Sequence, residues 1–269
     1  MRSKIFSLML LFFAFAEVLT AQDFQGVAIY KSRTQVAMDS SQVKDDAIRK
    51  ALEEQLQLQM QGEYTLRFSR NESLYSENEK LARPQAGPSN GINITISRSK
   101  SELYKDTRSK TYVHQQEILS KPFIIKDSLK IPKWKLVKDK KSIGDYVCYK
   151  ATLTQNVIEK KYSSETDCLT KITSEKTVTA WYTPQIPVNS GPGNYWGLPG
   201  LILEVQDGKT SMLCSSITLN PSEKIEIEAP TKGKQVDQET FNTIQEERMA
   251  EMRARSDNGK GLFITKTGG

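Results

Sequence analysis

Over much of this chain apolar residues fall at every second position, a period that half-buried strands satisfy and helices do not. Tyr64, Leu66 and Phe68 alternate with Thr65 and Arg67, Ser73 to Ser76 continues the pattern, and Ile92, Ile94 and Ile96 alternate with Asn93, Thr95 and Ser97. Further strands are expected at Phe24–Tyr30, Thr111–Gln115, Trp134–Val137, Tyr146–Thr152 and Val178–Tyr182, with Asp139-Lys140-Lys141-Ser142 as a tight connection between two of them. The clearest hairpin joins Leu201–Gln206 to Thr210–Leu219 through Asp207-Gly208, a dipeptide suited to a turn that needs positive φ. Two segments carry the helical period instead. Asp39-Ser40-Ser41 reads as a helix start, and Val43, Ala47, Ala51, Leu52, Leu56 and Met60 then recur on one face until Gly62. Near the end, Asp237 reads as an N-cap, Val236 can staple onto Phe241, and Phe241, Ile244, Met249 and Met252 form one stripe. The expected fold class is α+β, mainly β: a curved antiparallel sheet with one or two packed helices.

The first residues bear on compartment. Arg2 and Lys4 precede an apolar run from Ile5 to Ala16, and Thr20-Ala21 supplies small residues ahead of Gln22-Asp23. That order is the pattern of a secretory signal, so residues 1–21 are expected to be a signal peptide cleaved after Ala21. The run falls short of the roughly 20 residues a bilayer requires, and Glu17 closes it. Residues 22–229 then read as one β-rich domain, and 230–269 as a linker, a helix and a disordered tail. No transmembrane segment is expected in the mature chain, whose place would be the periplasm or outside the cell. The chain carries 38 basic against 32 acidic residues, and losing Arg2, Lys4 and Glu17 takes the net charge from +6 to +5. Such a mild excess fits an anionic lipid or glycan surface, and solubility alone explains it equally well. Export argues against a nucleic-acid partner.

Little here supports chemistry of a known kind. Cys148, Cys168 and Cys214 in an oxidising compartment favour one disulfide and one leftover thiol. Cys148 and Cys214 sit in strand-like runs and Cys168 in a polar loop, so a bond that includes Cys148 is expected, its partner open. No cysteine pair has zinc-ligand spacing and His114 is the sole histidine, so no metal or cofactor is expected. His114, in the strand-like Thr111-Tyr-Val-His-Gln, reads as a partly buried structural residue rather than a catalytic base. Neither a Gly-x-Ser-x-Gly elbow nor a phosphate or dinucleotide glycine loop occurs, although a carboxylate pair has many candidates. Lys121 to Lys141 holds eight lysines among Phe123, Ile124, Ile125, Trp134 and Leu136. Alternation would place Trp134 and Leu136 in the core and Lys133 and Lys135 in water, a solvated face rather than a basic binding patch. Asp127-Ser128-Leu129 has the form Asp-Ser/Thr-apolar of an O-glycosylation acceptor, with Ser128 as the site.

The stretch from Ala180 to Val205 is the most distinctive. Pro184, Pro187, Pro192 and Pro199 fix φ and withdraw donors, so the segment is no sheet interior before Leu201. Gly197 and Gly200 bracket Leu198-Pro199 and permit a sharp turn into the strand. Tyr182, Tyr195 and Trp196 flank this corner and are the candidate rim of a binding site. Gly197-Leu198-Pro199-Gly200-Leu201-Ile202 is the signature of the GLPGLI family, exported proteins of Bacteroidota, which the chain resembles over roughly residues 22–255. Trp134-Lys135-Leu136, Gly144 to Ala151, Trp181 to Pro184, Ile186-Pro187, Gly191-Pro192 and Lys232-Gly233-Lys234 carry that resemblance with the motif. It implies a sheet-rich envelope protein, brings no catalytic residue, and makes Ser128 an acceptor of the kind used in that phylum. A curved sheet with helix cover also bears a fold-level analogy to the half-barrel of LolA-type periplasmic lipoprotein carriers.

The function expected from these features is a non-catalytic envelope protein that binds or carries an apolar ligand, or docks on an outer-membrane protein. The alternatives are an envelope hydrolase using carboxylates or a Ser-Lys pair, and a structural partner of an outer-membrane receptor.

Overall fold

The structure, a computed structural model, describes residues 24–35, 46–79, 100–163 and 168–256. The expected signal segment, the expected helix start at Asp39-Ser40-Ser41, the Ile92–Ser97 run and the tail beyond Ser256 lie outside the described residues. In chain order the elements are β1 (Gln25–Thr34), α1 (Asp46–Gln59), β2 (Gly62–Ser69), β3 (Glu72–Glu77), β4 (Glu102–Asp106), β5 (Thr111–Ile118) and β6 (Lys121–Ser128). There follow β7 (Lys135–Ile143), β8 (Tyr146–Ser163), β9 (Cys168–Thr183), β10 (Leu201–Asp207), β11 (Thr210–Leu219), β12 (Lys234–Val236) and α2 (Gln238–Ser256). The protein is thus mainly β, as expected.

All the described strands belong to one sheet, in the order β12-β6-β5-β4-β3-β2-β1-β11-β10-β9-β8-β7. Two antiparallel meanders, β1–β6 and β7–β11, meet where β1 pairs with β11, so each half of the chain forms one wing. β12 adds to β6 in parallel, the only parallel pair among the described strands. Gly233 permits this close docking, since a Cβ there would lie 2.8 Å from the Pro122 carbonyl carbon. α2 follows at once. Asp237 accepts from the Thr240 N–H at 2.7 Å, and Val236, Phe241 and Ile244 pack with Ile118, Phe123 and Ile125, so the capped and stapled helix lies on β6 as its sequence indicates. Of the expected α1 stripe, Leu56 and Met60 are buried.

The wings face each other. A flat sheet would set β5 and β8, eight steps apart, roughly 38 Å from one another. Instead His114 of β5 and Leu153 of β8 line the same cavity, so the sheet curves strongly. Cross-sheet contacts hold that shape. Tyr30 of β1, wholly buried, donates from Oη to the Ile202 carbonyl of β10 at 2.7 Å. One core joins the wings, packing Leu66, Phe68, Tyr75 and Leu103 with Cys148, Ile186, Val188 and Leu203, and within it Tyr75 stacks on Tyr64 of the adjacent β2 with ring centroids 5.1 Å apart.

Several local expectations are corrected. Asp139 to Ser142 is strand, not a connection: β7 carries a register shift between Leu136 and Lys140, and the turn falls at Gly144-Asp145, where Gly144 has φ +55°. Cys168 begins β9 rather than sitting in a loop, because β8 and β9 extend as a long two-stranded ribbon. Its sequence is too polar to announce a strand by burial. Leu136 is 57% exposed, not in the core, and Trp134 is half-buried. β7 is the last strand of the sheet on its side, and its lysines suit an edge that resists pairing with another sheet.

Candidate functional site

The segment between β9 and β10 fills the bend of the sheet. Its four prolines donate no N–H, and the remaining backbone is stitched locally. Leu201 donates to the Ile186 carbonyl at 3.0 Å, Ile202 to Ser190 at 3.0 Å, and Gly197 to Asn189 at 2.9 Å. Gly197 has φ +87° and Gly200 φ +154°; a Cβ on Gly200 would stand 2.2 Å from the Thr183 carbonyl oxygen. Only glycine fits there, which accounts for the second glycine of the Gly197–Ile202 motif. Leu198, Leu201 and Ile202 are buried, with Pro199 between them making the corner. The motif is therefore built as a structural turn, and none of its six residues lines the cavity described next.

On the facing wing, strand register sets two rungs of side chains across β2 to β6. One reads Phe68, Ser73, Lys105, Tyr112, Asp127, and the next Leu66, Tyr75, Leu103, His114, Ile125. Residues directly opposite on antiparallel strands share a face. Lys105, Tyr112, Leu103 and His114 consequently form one floor, part apolar and part polar. Over it lies a cavity of about 670 Å³, walled by Leu129–Pro132, Leu153 and Gln155 of β8, Asn194 and Trp196 of the proline segment, and Gln238, Glu239 and Asn242 of α2. Asp127, Ser128, Lys130 and Glu239 are exposed and mark its mouth.

The floor holds unusual electrostatics. Lys105 is 1% exposed. Its ammonium donates to the Gly193 carbonyl at 2.7 Å and to that of Gly191 at 3.4 Å, tying β4 to the proline segment. Burial lowers its pKa to about 7, since a charge in that setting loses its hydration. His114 is pushed down to about 4, first by burial and then by the nearby Lys105 charge, so it is neutral at pH 7. Its Nε2 and the Ser101 hydroxyl are 2.9 Å apart. Burial and then the Asp127 charge raise Tyr112 to about 12, and its hydroxyl donates to Gln238 Oε1 at 2.9 Å. Across from Lys105, Ser73 Oγ is buried without a hydrogen-bond partner.

Of the three aromatics expected at a rim, the structure brings only Trp196 to the cavity, where it is 5% exposed and its carbonyl accepts from Trp134 Nε1 at 2.8 Å. Tyr195 points to the turn after β10, donating to Asp207 Oδ2 at 2.7 Å beside the Lys176 ammonium. Tyr182 is buried within the sheet near Tyr149. Ser128 stands at the mouth, its N–H and hydroxyl both donating to Asp127 Oδ1, at 2.6 and 3.2 Å. The expected disulfide through Cys148 is not formed in this structure: Cys148 and Cys214 are free thiols, their Sγ donating to the Tyr146 and Ser216 carbonyls. The Cys168 side chain lies outside the described residues. No three His, Cys, Asp or Glu side chains among the described residues gather as a metal site would require. Lys105 and Tyr112 were not candidates from sequence. A lysine in Glu-Leu-Tyr-Lys-Asp reads as solvent-facing, and no local signal marks it as buried.

Comparison with known proteins adds modestly to this geometry. Residues 134–204, from just before β7 into β10, match a family described as protein of unknown function (Porph_ging). The match takes in Leu153, Gln155, Asn194 and Trp196 of the cavity, while Lys105, Tyr112 and His114 lie outside it. No curated protein matches the sequence. The fold is similar to that of PNGF-II in two crystal forms, each with a TM-score of 0.50, at 10% and 12% identity. Both alignments cover 84% of this chain, but the chain spans only about a third of PNGF-II, 33% and 34%. At such identity the likeness concerns the fold alone.

Proposed function

We propose that this protein is an exported GLPGLI-type envelope protein that binds a small ligand in the cavity between its two wings, without catalysis. One observation carries the reading. The cavity, about 670 Å³, lies within the size range of small-molecule sites, and it sets an apolar side of Leu129, Ile131, Pro132, Leu153 and Trp196 against polar side chains that converge from β4, β5 and α2. Its walls come from β4, β5, β8, the proline segment and α2, so both wings and the helix contribute to one half-open space. The signal-like first 21 residues support a place in the periplasm or beyond. No helix among the described residues is long and apolar enough to cross a membrane.

A hydrolase is the second reading, since Ser128 and Lys105, and also Asp127 and Glu239, line the same cavity. It is the weaker one. Lys105 donates to two peptide carbonyls, and the Ser128 hydroxyl donates to the neighbouring Asp127 carboxylate on the exposed mouth rather than to Lys105. The buried histidine stays neutral and is engaged with Ser101.

The test is titration of the mature protein with a neutral apolar fluorophore, N-phenyl-1-naphthylamine. Saturable one-to-one binding is expected, and Leu153→Trp, which fills the cavity from β8, should abolish it while a cooperative melt shows the fold intact. Absent binding, or binding indifferent to Leu153→Trp in the folded variant, contradicts the proposal.

A further inference from the structure

The floor of the cavity narrows the ligand class, an argument that rests on the binding reading above. Lys105 is the one buried ammonium among the described residues, and its partners there are two peptide carbonyls and no carboxylate. An ammonium has three donors, so one is left over. A buried charge without a counter-ion is a costly arrangement, and supplying the counter-ion relieves it. Carbonyl dipoles that merely needed a donor could be satisfied by a neutral amide. The charge is what a simple structural tie leaves unexplained.

We propose that Lys105 is the head-group site for a monocarboxylate with an apolar tail, the tail running past Trp196, Leu153 and Ile131 toward the mouth. Three observations bear on this choice. First, donors on the floor are few. Besides the spare Lys105 N–H there are the unpartnered Ser73 hydroxyl across the rung and His114, neutral and engaged with Ser101, while the Tyr112 hydroxyl already donates to Gln238. Two carboxylate oxygens match so small a set, whereas a phosphate group with three strong acceptors would stay under-satisfied. Second, one side of the cavity above the floor is apolar, formed by Leu129, Ile131, Pro132, Leu153 and Trp196, with Gln155, Asn194, Gln238 and Asn242 around it. Third, the charges that face the opening are exposed and of both signs, Asp127 and Glu239 beside Lys130. Solvent screens them, so they oppose an anion seated on Lys105 only weakly. Burial lowers the Lys105 pKa to about 7, and a carboxylate seated beside it would favour the charged form and raise it again.

The experiment is displacement of bound N-phenyl-1-naphthylamine at pH 7 by decanoate, methyl decanoate, decanol and decyl phosphate, on wild type and on Lys105→Met. Wild type should be displaced by decanoate at concentrations at least tenfold below those of the ester and the alcohol. Lys105→Met should still bind the fluorophore and lose that preference. A wild type that binds the fluorophore but treats acid and ester alike overturns the head-group assignment and leaves the cavity reading standing. So does an acid preference that survives in Lys105→Met. Decyl phosphate displacing better than decanoate overturns the carboxylate choice. A wild type that binds none of the five compounds overturns both readings.

Discussion

Replacing Lys105 by methionine should make this protein more stable at neutral pH and change how its stability depends on pH. Burial takes the Lys105 pKa from 10.5 to about 7. At ~1.4 kcal/mol per pH unit, holding that side chain inside opposes folding by roughly 5 kcal/mol at and below neutral pH. The sign follows from proton counting. Between pH 7 and 10.5 the unfolded chain keeps the Lys105 proton and the folded chain has released it, so stability rises with pH across that window and loses this gain as the pH falls back to 7. Methionine keeps the stem and removes the charge. It also withdraws a donor from the Gly191 and Gly193 carbonyls, a pH-independent loss of about 1–3 kcal/mol. The variant should then exceed wild type by about 2–4 kcal/mol at pH 6 and come near parity at pH 9, where wild type has recovered roughly 3 kcal/mol. Denaturant unfolding of both proteins at pH 6, 7, 8 and 9 measures this, because groups common to both cancel in the difference. A difference that stays constant from pH 6 to 9 would refute the reasoning, since Lys105 would then be solvated or paired in a way the geometry does not show.

Other consequences concern the corner, the capped helix and the thiols. Gly200→Ala should destabilise by about 3 kcal/mol or more, because its Cβ meets the Thr183 carbonyl, whereas Gly144→Ala, with open space around it, should lose only about 1 kcal/mol for its positive φ; equal losses in thermal unfolding would contradict that. Asp237→Ala removes the acceptor for the Thr240 N–H, and amide exchange of α2 should speed up as if about 1 kcal/mol were lost, with β1–β3 unaffected. Burial pushes the Cys148 thiol up to about 11 and that of Cys214 to about 12, so iodoacetamide at pH 8 should modify both far more slowly in the native than in the unfolded protein. Rapid native labelling of either thiol would sink that expectation.

What the sequence reveals here divides along the range of the interactions. Local chemistry was readable: the Tyr64–Phe68 alternation of β2, the Asp207-Gly208 turn, the Asp237 cap with its Val236–Phe241 staple, and the glycines at the Leu198-Pro199 corner. Each depends on a few neighbouring residues. The cavity does not. It exists because strands eight places apart in the sheet curve toward each other, and no residue of β4 or β8 encodes that separately. Lys105 illustrates the difficulty, since alternation in Glu102–Asp106 is as compatible with a wet face as with a buried one. Trp196 was legible as an aromatic in a rigid loop and does line the site, yet Tyr195 and Tyr182, equally aromatic and close by, are spent on Asp207 and on the sheet. β12 was missed for a related reason. Three residues after a linker carry no period, and their pairing with β6 is a tertiary event.

The central claim is that the space between the wings holds a ligand, and native mass spectrometry addresses it most directly. Protein purified without detergent from its native source would be measured before and after denaturation, beside Leu153→Trp prepared in the same way. The account predicts a discrete extra mass on the wild type that departs on denaturation and is missing from the cavity-filled variant. A bare chain mass on wild type under gentle conditions, or the same adduct on both proteins, would contradict it.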